Sequence, residues 1–222
     1  MEQVITVPRG PIGRLVVGFR AFRNLITNPA DPLQGPLFQM CVEHSMLRRV
    51  TRGIERHEEG RRLLAERPRL NAHATPLSTM EAHPPQSLGR AYAAYFGANN
   101  ITPFDPPALP VDSNQDYITT RLRETHDVVH VVTGYGTDDI GELELQWFNF
   151  GNLGWARLPF IVFIAAFFMG RMKKYGGVWR VWKRAWAAYR RGRRSRPLAS
   201  VIWEDFWELP VQDVQTLLCA PA

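Results

Sequence analysis

The sequence predicts an all-α fold, a single-domain helical array, on three observations. Apolar residues recur at helical spacing in one segment after another; strand signals are scarce, Val4 to Val7 being the best; and the segments break at proline, glycine or asparagine, as at Asn28-Pro29 and Gly134-Tyr135-Gly136. At 222 residues the chain can bury roughly 70% of its unfolded surface around one core, so one domain over 1–222 is expected. Hydrophobic residues at 45% and charged residues at 22% place it far from the disordered regime.

The first helix follows Pro11, with Leu15, Phe19, Phe22 and Ile26 at helical spacing and Arg14, Arg20 and Arg23 outside that stripe; Asn28-Pro29 ends it. A second runs from about Leu37 to Gly53. A third, from about Ile54, carries Glu58, Glu59, Arg61 and Arg62 and stops at Arg67-Pro68. Asn71 to Gln86 reads as a connection with at most one helical turn, and Leu88 to Phe96 as a helix with Leu88, Tyr92 and Tyr95 on one side. Four prolines between Thr102 and Pro110 make that stretch a loop. Asp116 to Val132 is the clearest helix, with Ile118, Leu122, Thr125 and Val129 spaced for burial and Gly134 and Gly136 ending it. Glu142 to Phe148 starts the next element, Leu158 to Gly170 is almost wholly apolar, and no internal repeat is visible.

Cys41 and Cys219, the only cysteines, give neither a disulfide framework nor a cysteine zinc pattern, which suits a reducing compartment. The start, Met1-Glu2-Gln3-Val4, has neither a signal-peptide nor a transit-peptide pattern, so the reading is a cytoplasmic, bacterial chain. The net charge of +6 is uneven. Twelve Lys or Arg and no acid lie between Leu145 and Trp203, which leaves 15 basic against 21 acidic residues elsewhere. An anionic partner would meet that segment.

His126 and His130, four apart on a helix, stack on one face about a turn apart, the spacing by which helices hold zinc. Such pairs also occur as solvated or core histidines. The glycine reversal lets the following helix return antiparallel, so Glu142, about one turn after it, can converge with His130 on one ion. Two imidazoles and a carboxylate with open positions suit a divalent metal such as zinc or non-haem iron. Glu142 has a second local reading, because Asp139-Ile140-Gly141-Glu142 has capping-box spacing. Asp127, about 100° around the helix from His126, suits a proton acceptor beside the metal. Its alternative is a charge on the solvated face.

These residues carry a resemblance. Tyr117 through His130, Y-I-T-T-R-L-R-E-T-H-D-V-V-H, followed by Gly141-Glu142, resembles the H-D-x-x-H-x11-E signature of the coenzyme Q (ubiquinone) biosynthesis protein 4 family. Glu59 to Leu64, Arg67 to Leu70, Leu88 to Tyr92, Trp203-Glu204 and Leu209-Pro210 are similar to the family's pattern, and the likeness covers about residues 35–218. By position match the family's metal residues fall on His126, Asp127, His130 and Glu142, with Asp127 as the candidate catalytic group. Gln146 stands where a Lys is expected, and the basic tract after residue 170 exceeds the usual pattern.

The resemblance implies an all-helical homodimer, or larger, with a divalent metal: zinc, with iron or magnesium as alternatives. It implies peripheral association with the membrane that holds a prenylated quinone precursor or another isoprenoid lipid. The activity implied is oxidative decarboxylation of the prenylated hydroxybenzoate ring. The alternative is a non-catalytic scaffold that organises other quinone-biosynthesis enzymes, and metal-dependent hydrolysis is a third reading without a visible substrate pocket.

The run from Leu158 to Gly170 spans roughly 20 Å as helix against roughly 30 Å of hydrocarbon, so it cannot cross a bilayer alone. It is either a buried core helix or a segment entering one leaflet, with Phe160, Phe163 and Phe167 as its candidate lipid contacts. In the tract over 171–196, Trp179, Trp182 and Trp186 recur at helical spacing among cations that include Arg190 and Arg191. That pattern fits an anionic membrane surface, or else core aromatics flanked by solvated charge. No nucleic-acid reading motif accompanies it, so nucleic acid is not expected.

Overall fold

In a computed structural model of the protein, the described residues are 7–8, 10–28, 34–42, 44–103, 113–154 and 170–221. Among them the secondary structure is helical with no strand, the all-α fold that the periodicity predicts, and one isolated bridge joins Ser87 to Pro210. The apolar run with Phe160, Phe163 and Phe167, most of the proline-rich loop, and residues 4–6 of the strand candidate lie outside the described residues. No helix among the described residues is long and apolar enough to cross a membrane.

Helix α1 (Pro11–Thr27) starts with proline at its first position and ends where the Asn28 amide bonds to Asn24, one residue before Pro29. It packs on α2 (Gln34–Val42), where Ala21 and Phe38 are buried and Phe22 lies 5.3 Å from Phe38. The predicted helix from Leu37 to Gly53 is divided between α2 and α3 (His44–Ile54). Helix α4 (Glu58–Glu66) ends at Arg67, which takes the left-handed conformation just before Pro68. The connection that follows holds the short α5 (Leu77–Glu81).

Helix α6 (Leu88–Asn99) is capped by the Ser87 hydroxyl, which accepts from the Arg90 amide. Its first turn is tied to the end of the chain, because the Leu88 and Gly89 amides donate to the carbonyls of Leu209 and Trp207. Helix α7 (Asn114–Glu124) opens with a reciprocal capping box between Ser113 and Asp116. It is followed by α8 (His126–Thr133), α9 (Asp139–Leu153), a 3-10 turn at Arg171–Tyr175, α10 (Val178–Arg194) and, after two further 3-10 turns, α11 (Val211–Leu218).

The main core gathers α6, α8, α9, α10 and α11 around Phe96, Trp147, Phe148 and Trp203, all 2% exposed or less. Burying a side chain of that size contributes about 3 kcal/mol. A second cluster, with Leu63, Tyr117 and Ile118, joins α4 to α7. Helices α9 and α10 pack at backbone contact. A Cβ on Gly151 would strike the Tyr189 carbonyl and one on Gly192 would strike that of Phe148, so only glycine fits at either position. The helix that carries Glu142 is thereby held directly against the basic helix.

Candidate metal centre

Thr125 interrupts the helix predicted from Asp116 to Val132, with φ −91° and ψ 1°, and its hydroxyl donates to the Arg121 carbonyl. Glu124 before the break and His126 after it face different neighbours. Helix α8 then runs two turns to Gly134, whose φ of 75° caps it while the Gly134 amide donates to the His130 carbonyl. The return into α9 is capped by Asp138, which accepts from the Gly141 amide at 3.0 Å. Asp138 therefore does the capping, and the Glu142 side chain turns towards α8. Gly141 is needed in this turn because a Cβ there would collide with the Gly136 carbonyl.

Three donors converge between the two helices. His130 Nε2 lies 3.2 Å from His126 Nε2 and 3.2 Å from one oxygen of Glu142, and His126 Nε2 lies 3.7 Å from the other. Adjacent donors around an ion bound at about 2.1 Å lie about 3.0–3.4 Å apart, so the two contacts of His130 already match and the approach of His126 to the carboxylate has to tighten. His130 is buried, whereas His126 and Glu142 are 36% and 41% exposed on their side chains, so one side stays open for a further ligand.

The second ring nitrogen of His130 fixes its chemistry. Nδ1 is 3.0 Å from the Tyr135 carbonyl oxygen, which can only accept, so Nδ1 carries a proton and Nε2, the nitrogen that faces the Glu142 carboxylate, is the one left to bind either a second proton or a metal. Two acceptors 3.2 Å apart repel unless a proton or a cation lies between them. The donor set, its spacing and the anchored Nδ1 together fit a divalent ion of the zinc or iron type.

The titration of the site reflects the same crowding. Burial is the largest influence on Glu142 and opposes its charge, yet the two histidines together outweigh it and pull the carboxyl down to about 2. Burial is also the largest influence on His126 and favours its neutral form, but the Glu142 carboxylate and then Asp127 overcome it and raise the imidazole above its ordinary value. Asp127 is raised by burial against the pull of His126 and His130.

Asp127 stands beside this trio rather than in it. His126, His130 and Glu142 form the one group of potential ligands found among the described residues, while the Asp127 carboxylate is felt by both histidines and makes no side-chain hydrogen bond there. Two neighbours escape a reading of the sequence. Tyr95 of α6 stacks on His130 with ring centres 5.8 Å apart, a tertiary contact with no local signal. The Tyr135 carbonyl is nearer to legible, since a reversal just after His130 folds the chain back over that ring.

The candidates for lipid contact separate. Trp182 packs edge-on against Trp147 at 5.3 Å, and Trp186 stacks between Trp182 and Tyr189 while remaining 44% exposed. Trp179 is 77% exposed. Arg190 is exposed, but Arg191 turns inward, donating to the carbonyls of Thr133 and Ala220 and lying over the Tyr135 ring. Arg191 thus caps the carboxyl end of α8.

The arrangement defines an all-helical protein with an open two-histidine, one-carboxylate cluster on a helical hairpin. The chain belongs to the family described as coenzyme Q (ubiquinone) biosynthesis protein Coq4, which it matches over residues 13–219. It is 33% identical over 168 residues to the mitochondrial ubiquinone biosynthesis protein COQ4 homolog of Drosophila ananassae, across 74% of this chain and 62% of that protein. It is 32% identical over 168 residues to the mitochondrial COQ4 homolog 1 of Culex quinquefasciatus, across 75% and 59%. The chain therefore spans about three fifths of these relatives. Its fold is shared with a crystal structure of a Nostoc punctiforme protein named for ubiquinone biosynthesis, with a TM-score of 0.71, 20% identity, and 92% and 97% of the two chains covered.

Proposed function

We propose that the protein is a metal-dependent enzyme of coenzyme Q biosynthesis that replaces the ring carboxylate of a prenylated hydroxybenzoate by a hydroxyl at the membrane surface. The carrying observation is the convergence of two imidazole nitrogens and a carboxylate oxygen at coordination spacing, in a chain of the Coq4 family. A divalent ion held there supplies Lewis-acid polarisation of a carboxylate or an oxygen donor.

The chain's own residues set up that site. The Tyr135 carbonyl keeps a proton on His130 Nδ1, so Nε2 is the nitrogen left to bind the metal. Glu142 contributes one negative charge, which leaves a dication with a net positive charge to attract the anionic ring. On this reading Asp127, next in sequence to His126, takes the proton of the ring hydroxyl on its carboxylate oxygens. The Tyr95 ring covers one face of His130 and keeps water from it. Loss of carbon dioxide and gain of a hydroxyl is a two-electron oxidation, which balances when dioxygen takes the two electrons and leaves as hydrogen peroxide while water supplies the hydroxyl oxygen.

The test is incubation of the protein with prenylated hydroxybenzoate under dioxygen, reading carbon dioxide and hydroxylated ring. Metal stripping and His130→Ala should each abolish both while the circular-dichroism spectrum stays helical. Full turnover in a verified metal-free sample would sink the catalytic reading. Wild-type product formation by Asp127→Asn in a reconstituted pathway would favour the scaffold, in which the protein presents the lipid to partner enzymes.

A further inference from the structure

Helix α1 is built inside out. Its buried side is made of small residues: Ala21 is 1% exposed, and Gly18 is buried against Cys41 of α2. Its large apolar residues face away, with Ile12 78%, Leu15 74%, Val16 52% and Phe19 70% exposed. These four stand at positions i, i+3, i+4 and i+7, one continuous stripe on the side opposite Gly18 and Ala21. An apolar groove of about 550 Å³ opens beside the stripe, shares Leu15 and Phe19 with it, and is walled by Phe22, Phe38 and Val42. A stripe of this kind on a folded domain marks a surface that something covers.

Charge identifies the cover. Arg20 and Arg23, both exposed, flank the stripe at helical spacing on α1, Arg48, Arg49 and Arg52 are exposed on α3, and the sequence from 10 to 54 holds Asp31 and Glu43 as its only acids. A second copy would set the same arginines against themselves, because a twofold contact pairs a surface with itself. Four side chains are also few against the roughly 20–30 residues a side of a stable protein interface. An anionic bilayer meets both demands, taking the apolar stripe among its acyl chains and the arginines among its headgroups.

We infer that α1 is an in-plane membrane anchor, docking on an anionic phospholipid surface through Ile12, Leu15, Val16 and Phe19. It deepens the membrane-surface reading above and moves the attachment from the Trp- and Arg-rich α10 to the opposite part of the sequence. In α10 one face is spent internally, with Val181, Ala185 and Ala188 buried and Arg184 paired with Glu144 at 2.7 Å; Trp179 stays exposed, while the partly exposed Trp186 stacks on Trp182 and Tyr189.

The test is co-sedimentation of the full chain with vesicles of phosphatidylglycerol and phosphatidylcholine, and of phosphatidylcholine alone. The wild type should bind the anionic vesicles, and Leu15→Glu with Phe19→Glu should lower binding about tenfold or more, since both lost side chains would have entered the apolar layer. Arg20→Gln with Arg23→Gln should weaken binding and flatten its salt dependence. Both pairs are exposed, so the fold should survive, and an unchanged melting temperature checks it. Amide exchange in α1 should slow on the anionic vesicles while that of α10 stays constant.

Undiminished binding by the Leu15 and Phe19 variant would overturn the anchor and leave the membrane reading standing. Absence of wild-type binding to either vesicle would overturn both. Conversion of a wild-type oligomer to a smaller species by that variant, without lipid, would assign the stripe to a second copy and overturn the anchor.

Discussion

Glu124 and Glu142 sit on helices that flank the same short segment, and the fold treats them in opposite ways. Glu124 has no exposed side-chain surface and is saturated: Arg69 gives it two guanidinium nitrogens, the Leu70 amide a third donor and Asn71 a fourth, all at 2.7–3.1 Å. Glu142 is half open and faces only two imidazole nitrogens, at 3.2 and 3.7 Å, each of which can hold a proton or a metal. A carboxylate that receives all its donors from the chain is a rivet between segments. One that shares two imidazole nitrogens and an open side is a candidate site, because a cation could take the place of the proton between them.

The contrast can be broken most sharply at Glu142. Glu142→Gln should lower zinc affinity by about 100-fold or more, measured by competition with a chelator, and leave the melting temperature of the metal-free protein nearly unchanged. Retention of wild-type affinity would make Glu142 an ordinary surface residue. The converse holds at Glu124. Glu124→Gln should cost about 2–3 kcal/mol in urea unfolding, since Arg69, itself 39% exposed on its side chain, can recover part of the loss from water. Its zinc affinity should match the wild type.

The smallest effect is one of pH. The carboxyl of Glu142 is depressed from 4.5 to about 2, so its contribution is complete above 4.5 and is lost as pH falls towards 2. The imidazole of His126 is raised above 6.5, so its contribution is complete below 6.5 and is lost as pH rises through the raised value. Both side chains are more than a third exposed, and screening keeps each effect under about 1 kcal/mol. Thermal melts of metal-free protein should therefore decline above pH 6.5. Saturating zinc should remove that decline, because the metal replaces the proton; an identical decline with zinc would count against a shared site.

The local half of this picture was legible in the sequence. The spacing of His126 and His130 and the glycines after them act within a turn or two of chain, and they bring Glu142 to the pair as expected. Whether Glu142 capped its own helix was open, because Asp138 and Asp139 are equally good caps on paper; the structure uses Asp138. The break at Thr125 was not legible, since Leu122 and Val129 continue the same apolar spacing through it. Arg191 read as one more surface cation and instead caps α8, a contact made across 58 residues. For α1 the pattern found the helix and not its buried side, because that side was chosen by Phe38 and Cys41 of α2, which leave room only for Gly18 and Ala21.

The meeting of Gly151 with Gly192 has a mechanical side. At that crossing no side chain separates the two backbones, and Trp147 on Trp182, Phe150 on Tyr189 and the Glu144–Arg184 pair tie the helices beside it, so α9 and α10 move together as one beam. Glu142 rides near one end of that beam, and the exposed Trp179 stands on the helix that forms its other half. A displacement of the outer helix would therefore be carried along α9 to the carboxylate.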